Sequence, residues 1–137
     1  MISYIIFHQI LLLVAIYYGI KNLSLGFNRT QFWTFSVRKH IQIGFTFVIL
    51  TAVGLFIGYI FDLVLRSHSH PIYIVGHKLI SILILIFIIV FVISGIIKKR
   101  HTSRLQWLQF LHPWIGLLTI GLMFAQILLV LMKLFGW

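Results

Sequence analysis

Residues 112–116 (HPWIG) open the last long apolar segment of this chain, and residues 40–44 (HIQIG) open an earlier one. Each stretch places an imidazole four residues, or about one helical turn, before a glycine. An ionisable side chain at the edge of an apolar helix is costly in a membrane and is usually functional. The two stretches therefore predict two helices that carry the same polar feature at the same end.

The composition is that of an integral membrane protein. Of the 137 residues, 61% are hydrophobic and 9% are charged, whereas about 25% are charged in a typical soluble domain. Mean hydropathy is +1.12. The net charge of +10 would suit nucleic acid, but a chain this apolar has no soluble basic face to present. We therefore expect the lipid bilayer as the main partner, no nucleic acid, and a topological role for the positive charge.

The chain contains no cysteine. This excludes disulfides, thiolate haem ligation, iron–sulfur clusters and cysteine zinc sites, so any bound metal must use histidine. The N-terminus lacks the basic region and the small-residue cleavage site of a signal peptide, so the first apolar run is expected to be a retained span. Because no pair of carboxylates exists for general acid–base chemistry, no catalytic residue is assigned.

Four segments reach the roughly 20 apolar residues that a bilayer-spanning helix needs. Pro71 suits the first turn of the third helix, and the spacing Gly54-x-x-x-Gly58 lets another helix approach the second. The links are short, so we expect a single domain over residues 1–137, an all-α, up-down four-helix transmembrane bundle. In such a bundle spans one and three form one diagonal, and spans two and four form the other. The expected spans are about 3–20, 37–65, 72–97 and 105–134.

Positive charge sets the expected orientation. Most of the Lys and Arg residues lie in the first and third links. Cytoplasmic links carry an excess of these residues, so both chain termini are expected on the outer side of the membrane. Asp62 and Arg66 lie four positions apart and are expected to pair on one helix face.

Four histidines fall within or at the edges of the spans. His8 and His77 lie near the outer ends of spans one and three, whereas His40 and His112 lie near the cytoplasmic ends of spans two and four. The chain thus repeats weakly as two hairpins, at offsets of 69 and 72 residues. Each diagonal carries two imidazoles at matching depth, which is the arrangement that clamps an iron porphyrin between opposing helices. The sequence predicts two bis-histidine haem sites, on the order of 20 Å apart.

Other residues suit such sites. Gly44 and Gly116, one turn from a ligand, are expected to leave room for the flat macrocycle. Haem propionates and anionic reductants need cationic partners, although the same cations also serve as topology determinants. The candidates are Arg38, Lys39, Arg100 and Arg104 on the cytoplasmic side and Arg66 and Lys78 on the outer side. The histidines of the links, His68, His70 and His101, are expected to be solvated.

This pattern resembles the cytochrome b561 family over nearly the whole chain. Successive histidines are 32, 37 and 35 residues apart, a rhythm similar to that of the family. The resemblance implies a four-helix core in which two diagonal histidine pairs hold two b-type haems and pass electrons across the membrane. Animal and plant members have flanking spans, whereas this chain shows the four core helices only. The matching motifs are Phe7-His8, Arg38-Lys39-His40, Tyr73-x-x-Gly76-His77 and His112-x-x-x-Gly116.

The resemblance also implies where small molecules dock. Basic residues just before the cytoplasmic-side ligand help to bind ascorbate in family members, which makes Arg38 and Lys39 candidates for a substrate site. His70 and Tyr73 occupy the outer link, where the family docks an acceptor such as ferric chelate or monodehydroascorbate.

The leading hypothesis is transfer of one electron at a time through two haems. The donor would be a cytoplasmic-side reductant, ascorbate-like or a quinol, and the acceptor an outer-side ferric chelate or similar compound. Whether this makes the chain a ferric or monodehydroascorbate reductase stays open. A second hypothesis is a haem-bearing, quinone-reactive membrane anchor of a larger respiratory complex. A third is a non-redox structural subunit whose histidines bond across helices. The sequence leaves open whether the chain works alone, as a homodimer or with a redox partner subunit.

Overall fold

The computed structural model describes residues 2–27, 36–65, 71–99 and 106–134. Within them it describes the side chains of residues 6–27, 36–61, 63, 76–96, 107 and 110–132. The described chain forms four α-helices and no strand. They are α1 (Ile2–Phe27), α2 (Val37–Leu65), α3 (Pro71–Lys99) and α4 (Gln106–Leu134).

All four of these helices are long and apolar enough to cross a membrane, with qualifying segments of 21 to 25 residues. Large apolar side chains cover the outside of the bundle: Phe45, Phe56 and Phe110 are 65%, 63% and 70% exposed. Lipid tails are as apolar as these side chains, so a bilayer solvates a surface that water would not. The expectation of an all-α, multi-pass transmembrane bundle is confirmed.

Local signals explain where α2 and α3 begin. The Lys39 backbone N–H donates to the Ser36 hydroxyl at 3.3 Å, and the His40 N–H donates to the Ser36 carbonyl at 3.0 Å. Ser36 is therefore the N-cap of α2, and it places His40 at the end of the first helical turn. Pro71 is the first residue of α3, a position where its missing N–H costs no hydrogen bond.

Helix α1 is longer than the sequence predicts. It continues through Lys21 and Asn22, where the first span was expected to close, and ends at Phe27. Asn22 is only 3% exposed and packs against Gly44, so contacts inside the bundle stabilise the extra turns. Lysine and asparagine end an apolar run in the sequence, but neither residue prevents a helix from continuing.

Helices α1 and α2 pack as a close antiparallel hairpin. A Cβ atom on Gly54 would stand 2.9 Å from Leu12 Cδ2, and one on Gly44 would stand 2.9 Å from Asn22 Nδ2. From the first contact to the second, the α1 residue number rises by ten, from 12 to 22, and the α2 residue number falls by ten, from 54 to 44. The two helices are therefore antiparallel. Glycine is needed at both positions because a side chain there would push the helices apart.

Helices α3 and α4 repeat this packing. Phe91 lies against Gly116, and Gly95 lies against His112. Subtracting 69 from the α3 numbers and 72 from the α4 numbers turns these contacts into Asn22 against Gly44 and Gly26 against His40. Both of those contacts occur between α1 and α2. The weak internal repeat in the sequence is therefore a repeat of side-chain packing.

The two hairpins join mainly through α1 and α4, where Gly19 lies against Ile120. Helices α2 and α3 contact each other more sparsely. One nearly inaccessible side chain from each helix fills the centre of the bundle. These four residues are Leu12, Phe47, Ile84 and Met123, none of them more than 1% exposed.

Candidate functional site

His8 of α1 and His77 of α3 face each other at the end of the bundle where these two helices begin. Their ring centroids are 6.4 Å apart, and the ring planes are inclined by 65°. His8 is 6% exposed, and His77 is partly buried. Because the two helices lie on a diagonal, the rings can meet in this way only by pointing toward the bundle axis.

His40 of α2 and His112 of α4 form a second pair at the opposite end. Their ring centroids are 6.3 Å apart, with an angle of 66° between the planes. His112 is 8% exposed, and His40 is partly buried. The structure thus brings the four histidines together in the two diagonal pairs expected from the sequence, with nearly identical geometry.

The centroid separation limits how the two rings of a pair interact. With C–N bonds of about 1.33 Å, each ring nitrogen lies about 1.1 Å from its centroid, so nitrogens of opposite rings are at least about 4.0 Å apart. A direct hydrogen bond needs about 2.7 to 3.2 Å and is excluded. Two metal–nitrogen bonds of about 2.0 to 2.1 Å each, on opposite sides of one metal atom, would span the nitrogen–nitrogen distance of about 4.0 Å.

The candidate ligands occur as pairs and not as larger clusters. In the described part of the chain, no three His, Cys, Asp or Glu side chains come together. A zinc site normally takes three or four protein ligands, whereas a group that brings most of its own ligands needs two. Each histidine pair therefore suits a metal that arrives inside a macrocycle.

The two pairs lie farther apart than the sequence predicts. On α1, His8 is 18 positions (26 − 8) from Gly26, which lies against His40. On α2, His40 is also 18 positions (58 − 40) from Gly58, which lies against His8. At about 1.5 Å per residue the separation is about 27 Å. The shorter expectation of about 20 Å assumed that the first span ends at about residue 20, but α1 continues to Phe27.

Three glycines lie directly against imidazole rings. A Cβ atom on Gly58 would stand 3.0 Å from Cε1 of His8, closer than nearly all real carbon contacts. The other two contacts are Gly26 with His40 at 3.5 Å and Gly95 with His112 at 3.4 Å. These glycines allow the neighbouring helix to approach each ring, and the sequence did not single out Gly26 or Gly95.

Gly44 and Gly116, expected to leave room for a macrocycle, have side chains beside them. A Cβ atom on Gly44 would stand 2.9 Å from Asn22 Nδ2, and one on Gly116 would stand 3.2 Å from Phe91 Cε2. The space next to each glycine is taken by a residue of the paired helix. Their clearest role in the structure is therefore close helix packing.

His112 has a buried polar partner on α3. Ser94 is 0% exposed, its hydroxyl donates to the Phe91 carbonyl at 2.8 Å, and its Oγ lies 2.8 Å from Nδ1 of His112. Phe91 stacks on the same imidazole, with ring centroids 4.4 Å apart and planes 16° apart. Phe91, Ser94 and Gly95 thus form one face of α3 against the His112 ring.

His77 has a different partner, the amide of Gln126 on α4. Gln126 Nε2 lies 3.3 Å from Nδ1 and 3.2 Å from Nε2 of the His77 ring, and it donates to the Ser81 hydroxyl at 2.7 Å. Ser81 in turn donates to the His77 carbonyl at 2.9 Å. Because Gln126 is only 1% exposed, this network ties α3 to α4 inside the bundle.

The His8 and His77 end also contains buried polar atoms that have no hydrogen-bond partner among the described residues. They are Oε1 of Gln9, Oε1 of Gln126 and the ring nitrogens of His8, which make no well-aligned hydrogen bond although the Gly54 backbone interacts with that ring. A buried polar atom without a partner costs free energy, and most such atoms in proteins are paired with another group, a water or a ligand. This end of the bundle therefore has unused capacity to bind a ligand.

Of the predicted cations, three are described and all three are exposed: Arg38, Lys39 and Lys78. Arg38 and Lys39 belong to the first turn of α2, immediately before His40, and Lys78 follows His77. Long basic side chains at helix ends extend toward the membrane surface. The remaining predictions, including the Asp62 pairing, fall outside the described side chains: Arg66, His70, Tyr73, Arg100 and Arg104.

Two functional candidates, Ser94 and Gln126, were missed by reasoning from the sequence. Ser94 and Gly95 are the polar and small residues that interrupt the apolar second half of α3, and this interruption is a usable signal. Gln126 falls on the helical face of His112, but nothing in the sequence pairs it with His77. Comparison of the chain with known protein families, with curated proteins and with solved structures finds no match.

Proposed function

We propose that this chain is a transmembrane electron carrier that binds two haem b groups. One would lie between His40 and His112, the other between His8 and His77. The observation that carries the proposal is the ring separation of 6.3 and 6.4 Å, repeated on both diagonals. The smallest nitrogen–nitrogen distance that these separations allow, about 4.0 Å, is too long for a direct hydrogen bond and matches the span of two metal–nitrogen bonds.

The chemistry of the ligand set supports haem in particular. The chain has no cysteine, and among the described side chains the candidate ligands stand in pairs. A macrocycle that occupies the other coordination positions of the metal fits such pairs best. Bound haem supplies a one-electron iron couple. The protein would supply the imidazoles that hold the iron, their hydrogen bonds and a low-dielectric surrounding.

The length of the bundle supports two redox sites separated across a membrane. The pairs are about 27 Å apart, close to the roughly 30 Å thickness of the hydrocarbon core. The side chains between them exclude water, since Leu12, Phe47 and Met123 are at most 1% exposed. Each pair is then near one membrane face, where a donor or an acceptor can reach it.

The distribution of positive charge supports a direction of electron transfer across the membrane. Exposed Arg38 and Lys39 stand beside His40, and cytoplasmic ends of spans carry most Lys and Arg. We therefore propose a cytoplasmic-side donor at the His40 end, an anionic ascorbate-like reductant or a quinol. The acceptor would be a ferric chelate or similar compound at the His8 end, where both termini would also lie. The resemblance to cytochrome b561 in the histidine motifs points the same way.

The two imidazoles of a pair do not hydrogen-bond to each other, because their nitrogens are at least about 4.0 Å apart. His112 and His77 do join α3 to α4 through Ser94 and Gln126, as a non-redox structural subunit would also require, so the haem content of the purified chain separates that alternative from the carrier. A quinone-reactive membrane anchor would use the same two haems. It differs in needing a redox partner subunit, which reconstitution of the isolated chain decides.

The decisive experiment measures haem per chain. The full chain is purified in detergent, and a pyridine haemochrome assay is read against the protein concentration. Two haems per chain support the proposal. Zero overturns it, and one overturns its two-site form. Single variants His8→Ala and His112→Ala are expected to lose one haem each, while His101→Ala, in the third link, is the matched control and retains both.

A second measurement tests the carrier function. The chain is reconstituted in liposomes that enclose ascorbate, and reduction of external ferric chelate is followed by absorbance. We expect reduction that His112→Ala abolishes and His101→Ala preserves. A haem-loaded chain that passes no electrons by itself, and that co-purifies with a redox subunit, would overturn the stand-alone carrier in favour of the membrane anchor.

A further inference from the structure

The hydrogen bonds of Ser94 determine which nitrogen of His112 carries a proton. A serine hydroxyl has one proton to donate and lone pairs that accept. Ser94 Oγ lies 2.8 Å from the Phe91 carbonyl oxygen, which can only accept, and 2.8 Å from His112 Nδ1. For both contacts to be hydrogen bonds, the Ser94 proton goes to the carbonyl and we infer that His112 Nδ1–H donates to Ser94 Oγ.

A neutral imidazole has one N–H and one nitrogen with a free lone pair. With its proton on Nδ1, His112 keeps the lone pair on Nε2, and a metal binds imidazole through such a lone pair. We propose that Ser94 is a positioning residue that selects the Nδ1–H tautomer of His112 and so presents Nε2 to the haem iron. The second half of this inference rests on the proposed function; the tautomer does not.

The orientation of the ring is fixed from the same helix. Phe91 stacks on its face at 4.4 Å, and a Cβ atom on Gly95 would stand 3.4 Å from its Cε1. Phe91, Ser94 and Gly95 are spaced three and four positions apart, so they share one face of α3. Stacking and the hydrogen bond together leave the imidazole little freedom to rotate or to exchange its tautomer.

The opposite end is built differently, which makes the two sites chemically distinct. His77 meets the Nε2 amide of Gln126, a donor with no lone pair to offer to a ring N–H. His112 instead donates to a hydroxyl oxygen, and such an acceptor raises the basicity of a ligating imidazole. A more basic ligand favours ferric iron, so we expect the hydrogen bond to Ser94 to lower the midpoint potential of the His40 and His112 site.

The tautomer is tested without haem. The full chain, carrying ¹⁵N-labelled histidine and prepared without haem, is examined by NMR in detergent. We expect His112 to show a protonated Nδ1 and an unprotonated Nε2, and Ser94→Ala to show a mixture of both tautomers. A wild-type His112 protonated at Nε2 would overturn the proposal. Ser94→Thr, which keeps the hydroxyl, is expected to restore the Nδ1–H tautomer.

The effect on iron is tested by redox titration of the haem-loaded chain. Mutating a residue that hydrogen-bonds to a metal ligand changes metal affinity by about tenfold or more. If Ser94→Ala loses tenfold in the preference for ferric iron, one midpoint potential rises by about 59 mV. The other is expected to stay unchanged. Thr119→Val is the matched control, because it removes a buried hydroxyl that donates to its own helix at 2.8 Å.

The outcomes separate the two proposals. A chain that binds no haem but shows the His112 Nδ1–H tautomer overturns the proposed function and leaves the role of Ser94 in the polypeptide intact. A chain with two haems whose potentials are unmoved by Ser94→Ala overturns the proposed effect on the iron and leaves the carrier function intact.

Discussion

Gly58 of α2 packs directly against the imidazole of His8 in α1. A Cβ atom at residue 58 would stand 3.0 Å from Cε1 and 3.4 Å from Nε2 of that ring. Carbon atoms in favourable contact are about 3.5 to 4.0 Å apart. Glycine at this position therefore leaves the space in which His8 turns toward His77.

Gly58→Ala is expected to displace His8 and to weaken the His8 and His77 site. Changes next to a metal ligand cost about tenfold or more in metal affinity. On the proposal that the chain binds two haems, we therefore expect the variant to retain about one. Haem per chain measures the effect. Gly121→Ala is the control because nothing lies within 4 Å of its added Cβ, and Gly26→Ala, at 3.5 Å from His40, is expected to be tolerated. Full haem content in Gly58→Ala would contradict this reading.

The contact between Asn22 and Gly44 predicts a strong coupling between substitutions. Gly44→Ala puts a methyl group 2.9 Å from Asn22 Nδ2, and overpacking of this kind costs about 1 to 3 kcal/mol. Removing the obstructing side chain in Asn22→Ala should relieve the clash. We expect the double variant to be more stable than the sum of the single effects predicts, by about 0.5 to 3 kcal/mol. Denaturant unfolding in detergent measures this cycle, and strict additivity would show that the two residues do not press on each other.

Gln126→Leu tests the amide network at the His77 end. The substitution removes the donor that holds Ser81 at 2.7 Å and contacts the His77 ring. Hydrogen bonds between membrane helices contribute about 0.6 to 2 kcal/mol, so we expect a loss of stability in that range. We also expect a shift in the absorption or potential of one haem only. Gln42→Leu, on the exposed face of α2, is the matched control and should change neither quantity.

Phe91→Leu tests the aromatic support of His112. Phe91 stacks on that imidazole and meets Phe47 edge to face, with centroids 6.2 Å apart at 88°. Aromatic pairs contribute about 0.5 to 1.5 kcal/mol each beyond simple burial, so losing two should lower the unfolding free energy by about 1 to 3 kcal/mol. Thermal unfolding in detergent measures it. Phe45→Leu, at a side chain that is 65% exposed, is expected to be nearly neutral; an equal loss in both variants would refute a specific role for the stack.

The number of helices and the pairing of the histidines follow from local features of the sequence. Run length and charge define the spans, and an up-down bundle puts His8 with His77 and His40 with His112. The C-terminal end of α1 was predicted wrongly from the sequence, because Lys21 and Asn22 look like the boundary of an apolar segment. Burial of Asn22 against Gly44 outweighs that signal, and a contact with another helix has no trace in the local run.

The partners of the histidines could not be read from the sequence for a physical reason. In a soluble helix the apolar stripe reveals which face points inward. A membrane helix is apolar on both faces, so its rotation about its own axis is left undetermined by periodicity. Ser94 and Gln126 become partners of His112 and His77 only once that rotation is set.

The sequence by itself determined that the chain is a four-helix membrane bundle with two histidine pairs at opposite ends, since apolar length and the depth of a histidine are properties of single segments. Only the tertiary structure decided the ring separations of 6.3 and 6.4 Å, the glycines that lie against the rings, and the contact between His112 and Ser94. These features depend on how close, in what register and at what rotation two helices pack, and that is decided by the fit of their side chains.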